Sequence, residues 1–329
     1  MAESIDVAER DLVTVTLRKL VRQHDGAQLA AALRDFGFAD VLAAQQRAAV
    51  SALFDALGRG GATSTAMHDV LALPLAGLLP DSACGHSVVM PPIGEPLAGS
   101  ATTTTVTLRG LAIAHRVGAA VVAPVGMNGH IAWVHVTDPA GLSTRAVGGL
   151  DPTLGLTELS TLRAPSTLLV AGPRAKSLWN TVATAGRRAL AYQITGAVSR
   201  MIELAVTHAC DRTQFGRPIG AFQAVRTRLA DAYVAHAGAV GALEAAWAAD
   251  DEYLAGMLAK SLAGRAARIA GTHCQQVLAG IGFTAEHPFH RFLTRALVLD
   301  SLLGSAGELP RVIGTYLAAG DTVPRLVDL

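Results

Sequence analysis

The sequence predicts an α+β fold that is mostly α-helical, in which a short β-rich segment separates two helical regions. Apolar residues recur at helical spacing from Val7 to about Pro80, and again beyond Pro165. Between them, around Pro91–Thr105, the composition shifts to Pro, Gly, Ser and Thr, and short β-rich runs follow. The predicted domains are an N-terminal helical domain (1–88), a trimmed middle β-domain (89–164) and a C-terminal four-helix bundle (165–329).

In the first region, groups of apolar residues mark one face of each of several successive helices. These groups are Val13, Leu17, Leu20 and Val21, then Leu29, Leu33 and Phe36, then Val50, Leu53 and Leu57. The run Gly58-Arg59-Gly60-Gly61 predicts the end of one helix, and Ser64 is the N-cap that we expect for the next one.

The middle region contains three runs that are typical of strands: Val106–Leu108, Ala119–Val122 and Ile131–Val136. Between the last two runs lies Asn128-Gly129, a pair that favours a two-residue hairpin turn. We therefore expect a β-domain of short antiparallel strands.

Beyond Pro165 the helical period returns and continues to the end of the sequence. One predicted helix face is formed by Leu190, Ile194, Ala197, Met201, Leu204 and His208, and the next by Phe222, Val225, Leu229, Val240, Leu243 and Trp247. A third helix is expected to begin near Asp251 and a fourth near Phe289, which predicts an antiparallel four-helix bundle.

Composition limits the classes of function. The formal net charge of +1 provides no field for nucleic acid or an anionic membrane, and no apolar run reaches the roughly 20 residues of a spanning helix. Charged residues are only 16% of the 329 residues and the mean hydropathy is +0.37, so we expect much of the surface to be covered by other subunits. Met1–Asp11 has no signal-peptide pattern, and Cys84, Cys210 and Cys274 have no metal spacing. We expect a cytoplasmic protein without a metal site.

Two segments carry residues suited to a nucleotide. In Arg212–Val225, Arg212 offers a permanently charged five-donor fork for a pyrophosphate. In Gln275–His287, Gly280 and Gly282 allow close backbone approach to a ligand, and Gln276, like Gln223 of the first segment, can bond a ribose or phosphate. The alternative is that Arg212 is a solvated cation at a helix end and Gly216 a plain helix stop.

Together the two segments resemble the FAD-binding hallmarks of the acyl-CoA dehydrogenase family, and the predicted order of domains is also that of the family. The resemblance covers nearly the whole chain and implies an acyl-CoA dehydrogenase-like fold. It also implies that certain residues contact the ADP half of an FAD held mainly by a neighbouring subunit. These are Arg212, Phe215, Gln223, Gln276 and Gly280.

The catalytic carboxylate of the family has no counterpart in the sequence. The family's reaction removes a proton beside a thioester carbonyl while a hydride passes to the flavin, and a buried glutamate takes the proton. Alignment on the family pattern puts Leu303 at the usual position of this glutamate, and Gly186 at the position used by a second subgroup. Neither position carries a carboxylate.

The segment that covers the flavin ring in the family also differs. Members carry a Trp-Ile-Thr run in the β-domain, whereas this sequence has Ala114 where tryptophan is expected and Arg116 in place of threonine. The resemblance therefore implies that the residues offered across an interface are retained while those of the chain's own active site are not.

Other polar residues have two interpretations each. Glu286 and Asp300 are candidates for a displaced base or for structural acids, one of them at a helix start. His287 and His290 could share a metal or lie on the surface, and Arg187 with Arg188 could meet a CoA phosphate or occupy a solvated helix start.

The resemblance is closest to short actinobacterial members that pair with a catalytic chain in α2β2 complexes. It implies a subunit that acts in desaturation of bulky acyl-CoA thioesters, a class that includes steroid-derived ones, in lipid or steroid catabolism, with an electron-acceptor flavoprotein as a further partner. Two alternatives stay open: a self-sufficient homo-oligomeric enzyme with a displaced base, and a purely structural pseudoenzyme.

Overall fold

The computed structural model describes residues 7–79, 85–116, 118–136, 138–284 and 286–320. Pro80, Cys84 and Ala285, which entered the sequence analysis, lie outside the described residues. The chain divides into two compact units, Met1–Val50 with Thr63–Gly186 and Ser51–Ala62 with Arg187–Leu329. The predicted domain boundaries at 88/89 and 164/165 stay a prediction.

The helices at the start of the chain follow the predicted apolar faces. They are α1 (Val7–Gln23), α2 (Gly26–Asp35), α3 (Phe38–Ala44), α4 (Gln46–Gly60) and α5 (Ala66–Ala72). Helix α4 ends at Gly60, as predicted. The N-cap of α5 is Thr65 and not Ser64, although Ser64 still contributes: its Oγ accepts the Ala66 N–H at 3.3 Å.

Unit 1 also contains the β-region. Its strands are β1 (His86–Val88), β2 (Gly99–Ala101), β3 (Thr105–Ile113), β4 (Ala120–Met127), β5 (His130–Val136), β6 (Ser143–Ala146) and β7 (Leu156–Ala171). The pairings run β4–β2–β3–β7–β5 and return to β4, so five strands form a closed ring. Most pairs are antiparallel, as expected, but β1–β4 and β2–β4 are parallel. Inward-facing Val106, Val121, Val134 and Leu159 fill the ring.

The Asn128-Gly129 prediction is confirmed. Met127 pairs with His130, and the two residues between them have φ of +51° and +77°, the combination that a two-residue hairpin turn requires.

The prediction that helical structure returns beyond Pro165 is wrong for the first residues. Strand β7 continues to Ala171 because Ser166–Ala171 pairs with β5, and helix α6 (Pro173–Asp211) begins only after Gly172. The run Leu168-Leu169-Val170 is equally compatible with a buried helix and with a paired strand, so its apolar pattern does not distinguish them.

The helices of unit 2 account for most of the C-terminal region. They are α6, whose residues from Arg187 onward belong to this unit, α7 (Gln223–Ala245), α8 (Glu252–Leu278), α9 (Phe289–Ser301) and α10 (Leu309–Ala318). The predicted starts near Asp251 and Phe289 are confirmed, and α10 was not predicted. The fold class, mostly helical with a β-region, is confirmed. Of the helices described, none is long and apolar enough to cross a bilayer.

Within unit 2, the last turns of α4 lie against α6 at two glycines. A Cβ on Gly58 would come within 2.1 Å of the Gln193 carbonyl oxygen, and a Cβ on Gly196 within 2.4 Å of the Asp55 carbonyl oxygen. The two backbones approach so closely that neither position accepts a side chain.

Candidate functional site

A short hairpin follows α6 and presents the first candidate segment. Strands β8 (Thr213–Gln214) and β9 (Arg217–Pro218) pair around Phe215 and Gly216, whose φ values are +53° and +76°. Arg212 links α6 to this hairpin: its N–H donates to the His208 carbonyl oxygen at 2.9 Å, and its carbonyl oxygen accepts the Ile219 N–H at 2.8 Å. Its exposed side chain has no hydrogen-bond partner among the described residues.

The hairpin tip projects into solvent. Phe215 is 92% exposed, and its ring meets that of Phe222 edge to face at 6.2 Å between centroids. The Arg217 guanidinium lies over the Phe222 ring, 4.3 Å from its centre. Stacked in this way, Phe222 fixes the hairpin on the start of α7.

A groove of about 330 Å³ lies between the hairpin, the first turns of α7 and the end of α8. Its lining residues are Gln214, Phe215, Ile219, Phe222, Ala224, Val225, Arg228, Gln276 and Val277. The structure thus brings Phe215 and Gln276 together. Arg212, Gln223 and Gly280 are exposed near the same segments but do not line this groove.

The chemistry of the lining fits the adenosine diphosphate half of a dinucleotide. Phe222, Val225 and Ile219 provide apolar surface for a flat base, while the amides of Gln214 and Gln276 and the cation of Arg228 can bond hydroxyls and phosphates. Sequence reasoning missed Arg228, which lies one and a half turns into α7. Only the helical spacing from Val225 could have placed it on the same face.

At the position expected for the usual glutamate, the structure has Leu303, whose backbone carbonyl oxygen is hydrogen-bonded by a buried arginine. Leu303, with φ of +55°, lies in the turn after α9, and its carbonyl oxygen accepts a hydrogen bond from Arg187 Nε at 3.0 Å. The Arg187 guanidinium also lies 5.3 Å from the centre of the Tyr253 ring. Burial lowers the pKa of Arg187, with Tyr253 opposing the shift, and its Nη1 has no hydrogen-bond partner within the described part of the chain.

A second buried cation supports the same turn. Lys260 Nζ donates to the carbonyl oxygens of Asp300 at 2.8 Å and Gly304 at 3.2 Å, and lies 3.5 Å from Asp300 Oδ1. Burial lowers the Lys260 pKa to about 8, against the attraction of Asp300. Asp300 is 1% exposed, and it also accepts from the Ala306 N–H and from Arg268. Asp300 is therefore the structural counter-charge of this turn.

The other expected glutamate position, Gly186, lies in the middle of α6, with Arg187 and Arg188 after it. The interpretation of this pair as a solvated helix start is wrong, because α6 begins at Pro173 and both arginines are buried. Arg188 bonds Glu252 at 3.0 Å and the Ala246 carbonyl oxygen, and its guanidinium lies over the Trp247 ring at 4.4 Å.

The remaining candidates of unit 2 have local roles. Glu286 is exposed, three residues before α9. His290 Nδ1 lies 3.0 Å from the His287 carbonyl oxygen, and His287 Nδ1 accepts the Phe289 N–H at 3.3 Å, so both rings cap the start of α9. In the described part of the chain, no group of three His, Cys, Asp or Glu side chains is arranged to hold a metal.

In unit 1, Arg116 is engaged by a neighbouring carboxylate. It donates to Asp69 Oδ1 at 2.8 Å and to Thr65 Oγ1 at 3.2 Å. Burial raises the Asp69 pKa while Arg116 opposes the rise, and burial lowers the pKa of nearby His68 to about 3. Ala114, with φ of +48°, provides no ring. These residues do not match the Trp-Ile-Thr segment with which the family covers the isoalloxazine ring.

Known proteins show similarity at the level of both sequence and fold. The sequence pattern of the acyl-CoA dehydrogenase C-terminal domain matches residues 178–314. Acyl-CoA dehydrogenase IpdE2 of Mycobacterium tuberculosis is 31% identical over 318 residues, 92% of this chain and 95% of that protein. Acyl-CoA dehydrogenase FadE34 of the same organism is 36% identical over 177 residues, 52% of this chain but only 24% of FadE34.

Two solved structures share the fold over almost the whole chain. The ChsE4-ChsE5 complex from Mycobacterium tuberculosis has a TM-score of 0.76 at 23% identity, covering 98% of this chain and 100% of that chain. The Tcur3481-Tcur3483 steroid ACAD has a TM-score of 0.77 at 21% identity, covering 94% of this chain and 98% of that chain. With a relative similar along nearly its full length, this chain belongs to the acyl-CoA dehydrogenase family.

Proposed function

We propose that this chain is the non-catalytic subunit of a heteromeric, FAD-dependent acyl-CoA dehydrogenase. One observation carries the proposal: Leu303 occupies the expected position of the glutamate, and its carbonyl oxygen is bonded by the buried cation Arg187. The other expected position, Gly186, also has no carboxylate.

The reaction of the family requires a base at the carbon beside the thioester, and a bound flavin supplies the acceptor for the hydride. A buried carboxylate is basic because burial disfavours its charge. At Leu303 the neighbouring cation is Arg187, which would hold a carboxylate at this position in its weakly basic, ionised form. In our proposal the partner chain supplies both the glutamate and the isoalloxazine pocket.

The contribution of this chain is to the ADP half of FAD. We assign that role to Arg212, Phe215, Gln223, Gln276 and Gly280. Two observations support the assignment: the Arg212 side chain has no hydrogen-bond partner among the residues that the structure describes, and Phe215 and Gln276 line the same groove. Arg228 is the residue that the structure adds to the set.

The names of similar proteins support a heteromeric assembly. One similar structure is named as a complex of two chains, and another as a two-chain steroid ACAD. We extend both features to this chain as part of the proposal: a second acyl-CoA dehydrogenase subunit as partner, and α,β-desaturation of a bulky, steroid-derived acyl-CoA thioester as the reaction. The reduced enzyme then needs an electron-acceptor flavoprotein.

The alternative of a self-sufficient enzyme needs a displaced base. Asp300 is the buried carboxylate beside the turn, but both of its oxygens are engaged, by Lys260 and Ala306 and by Arg268. Glu286 is exposed and lacks the burial that makes a carboxylate basic. The alternative would hold if the chain expressed alone bound one FAD per chain and reduced it with an acyl-CoA.

The decisive experiment replaces Arg212 by alanine in the assembled complex and measures FAD per assembly from its visible absorbance. We expect FAD affinity to fall about tenfold or more, since a charge-assisted contact to a phosphate contributes about 1.5–3 kcal/mol. Arg22→Ala, which removes an exposed arginine in the last turn of α1, is the matched control. Unchanged FAD content in an intact Arg212→Ala complex would leave only the structural pseudoenzyme.

A further inference from the structure

One buried arginine of unit 2 has no counter-charge. The described residues of this unit include four buried cations and a single buried carboxylate: Arg187, Arg188, Lys260 and Arg295, with Asp300. Arg188 is paired with Glu252, and Lys260 with Asp300. Arg187 forms no ion pair with any carboxylate that the structure describes. A buried charge without a counter-charge is costly, so the surroundings of Arg187 favour an anion.

The Arg187 guanidinium keeps donors available. Its Nε donates to the Leu303 carbonyl oxygen at 3.0 Å, but its Nη1 is fully buried and bonds no atom of the described ranges. The group lies 5.3 Å from the centre of the Tyr253 ring, and an aromatic ring supplies no full negative charge. Burial lowers the pKa of Arg187, with Tyr253 opposing the shift, as expected for a cation without a carboxylate beside it.

The acidic side chains near this turn are already engaged. Both oxygens of Asp300 have partners, among them Lys260. Glu308 accepts hydrogen bonds from the N–H and the hydroxyl group of Ser305, each at 3.0 Å. Neither carboxylate can therefore turn to Arg187 without losing its own contacts. The counter-charge has to come from another molecule.

The position of Arg187 favours a small molecule. Arg187 is only 9% exposed, which leaves little room for a protein segment to approach its guanidinium. The residues beside it, Leu303, Gly304 and Tyr253, are half-buried, so a small ligand can reach the guanidinium along them. A carboxylate suits this group best, because its two oxygens match the spacing of two guanidinium N–H donors.

We propose that Arg187 binds the carboxylate group of a small-molecule ligand beside Leu303. The ligand carboxylate lies next to the residue at which the family's glutamate is expected, and the Leu303 side chain and the Tyr253 ring contact its carbon atoms. The carboxylate belongs either to a free acid or to the far end of an acyl-CoA chain. The second source rests on the proposed function, whereas the first does not.

The first experiment measures the binding of acetate to the full chain. Saturation-transfer NMR of the acetate methyl protons gives the dissociation constant, with ionic strength held constant by potassium chloride. We expect Arg187→Gln to raise this constant at least tenfold, because a charge-assisted contact is lost. Arg265→Gln, at an exposed arginine of α8, is the matched control and leaves the constant unchanged. Equal binding of acetate to Arg187→Gln and wild type, or no binding to wild type, overturns the proposal.

A second pair of variants decides the question if Arg187→Gln does not fold. Leu303→Glu places a tethered carboxylate beside the same guanidinium, and we expect it to raise the acetate dissociation constant at least tenfold by competition. Leu303→Gln has the same size without the charge and should bind acetate like wild type. Circular dichroism confirms that both variants are folded. Equal binding of acetate by the two folded variants contradicts the proposal.

The assembled complex identifies the source of the carboxylate. Succinyl-CoA and butyryl-CoA have acyl chains of equal length and differ in a terminal carboxylate. Succinyl-CoA binding that is at least tenfold tighter, and that loses this advantage in Arg187→Gln, assigns the site to an acyl-CoA. Equal affinity for the two thioesters, with acetate still bound, assigns it to a free acid.

The same samples separate this proposal from two others. Loss of acetate binding on addition of the partner chain means that a side chain of that partner neutralises Arg187, and overturns the proposal. FAD per assembly is read from the visible absorbance and should be the same in wild type and Arg187→Gln, because Arg187 is not among the residues assigned to FAD. Normal FAD content without acetate binding thus contradicts the carboxylate site alone, and acetate binding without FAD contradicts the cofactor role alone.

Discussion

The Nε atom of Arg187 lies 3.0 Å from the main-chain carbonyl oxygen of Leu303. This contact joins a buried cation of α6 to the residue that stands where the family's glutamate is expected. The backbone of this turn is thus held by Arg187 and by Lys260, and the counter-charge of Lys260 is the buried Asp300.

Restoring a glutamate at Leu303 should therefore not restore catalysis. In L303E, Arg187 is expected to lower the pKa of the new carboxylate and weaken it as a base. We expect no acyl-CoA-dependent dye reduction by the isolated variant and no gain in the assembled complex. Activity of isolated L303E would mean that this chain holds a complete active site apart from the carboxylate.

Asp300 should matter for stability and not for proton transfer. Asp300→Asn leaves Lys260 buried without its counter-charge, and we expect the free energy of unfolding to fall by about 3 kcal/mol. Urea unfolding measures this change. Glu286→Gln, at an exposed carboxylate, is the control and should change stability by less than about 0.5 kcal/mol. A stable Asp300→Asn protein with lost activity would instead favour the displaced base.

The contact between α4 and α6 should not tolerate one methyl group. In G58A the new Cβ would lie 2.1 Å from the Gln193 carbonyl oxygen, a backbone atom of a central helix, so we expect a loss of about 3 kcal/mol. The matched change G314A, in the exposed middle of α10 with nothing within 4 Å, should stabilise by about 0.5–1 kcal/mol through helix propensity. Thermal unfolding of both variants decides whether the effect is steric.

Lys260 should make stability depend on alkaline pH. Its pKa is lowered to about 8 in the folded chain from an ordinary 10.5, so between these values the unfolded chain holds a proton that the folded chain has released. Stability should then rise with pH from about 8, by at most about 1.4 kcal/mol per pH unit. Lys260→Met should lack this rise when unfolding is followed by urea across the same pH range.

At higher pH, the thiol of Cys274 should lower the free energy of unfolding, the opposite of the effect of Lys260. Burial raises its pKa to about 12 from 9.0, so above pH 9 the unfolded thiol ionises first and stability falls. We expect the wild-type curve to flatten above pH 9, and Cys274→Ala to extend the rise toward pH 10.5. A curve that is identical in wild type and Lys260→Met would contradict the assignment to Lys260.

The elements predicted most accurately are those in which a local rule acts alone. Asn128-Gly129 specifies its turn by backbone conformation, and Asp251 specifies the start of α8 by accepting the Leu254 N–H at 3.0 Å. Residues 166–171 were assigned to a helix because their strand is defined by pairing with β5, which is distant in sequence. Helix α10 was missed because its apolar face is short, with Leu309 and Ile313 as its buried residues.

The candidate site was predictable where it follows a motif and not where it depends on packing. The Arg212 and Gln276 segments were recognised from their residues, and their roles remain a prediction. The burial of Arg187, by contrast, follows from the length of α6, which places it 14 residues inside a helix that begins at Pro173. No pattern around two adjacent arginines predicts that both lie in the core. Arg228 lines the same groove as Phe215 only because the hairpin folds back on α7, and the sequence alone does not show that fold.

The hairpin tip also links folding to association. Phe215 adopts a left-handed backbone conformation, which costs a residue with a side chain about 1 kcal/mol or more, and its ring stays in water, forgoing about 2 kcal/mol of burial. A partner or nucleotide that covers the ring recovers the roughly 2 kcal/mol of burial. Such a molecule binds the folded chain and not the unfolded one. The melting temperature of this protein should therefore rise with the concentration of any partner or nucleotide that covers Phe215, so that dilution of the complex acts on it as a mild denaturant.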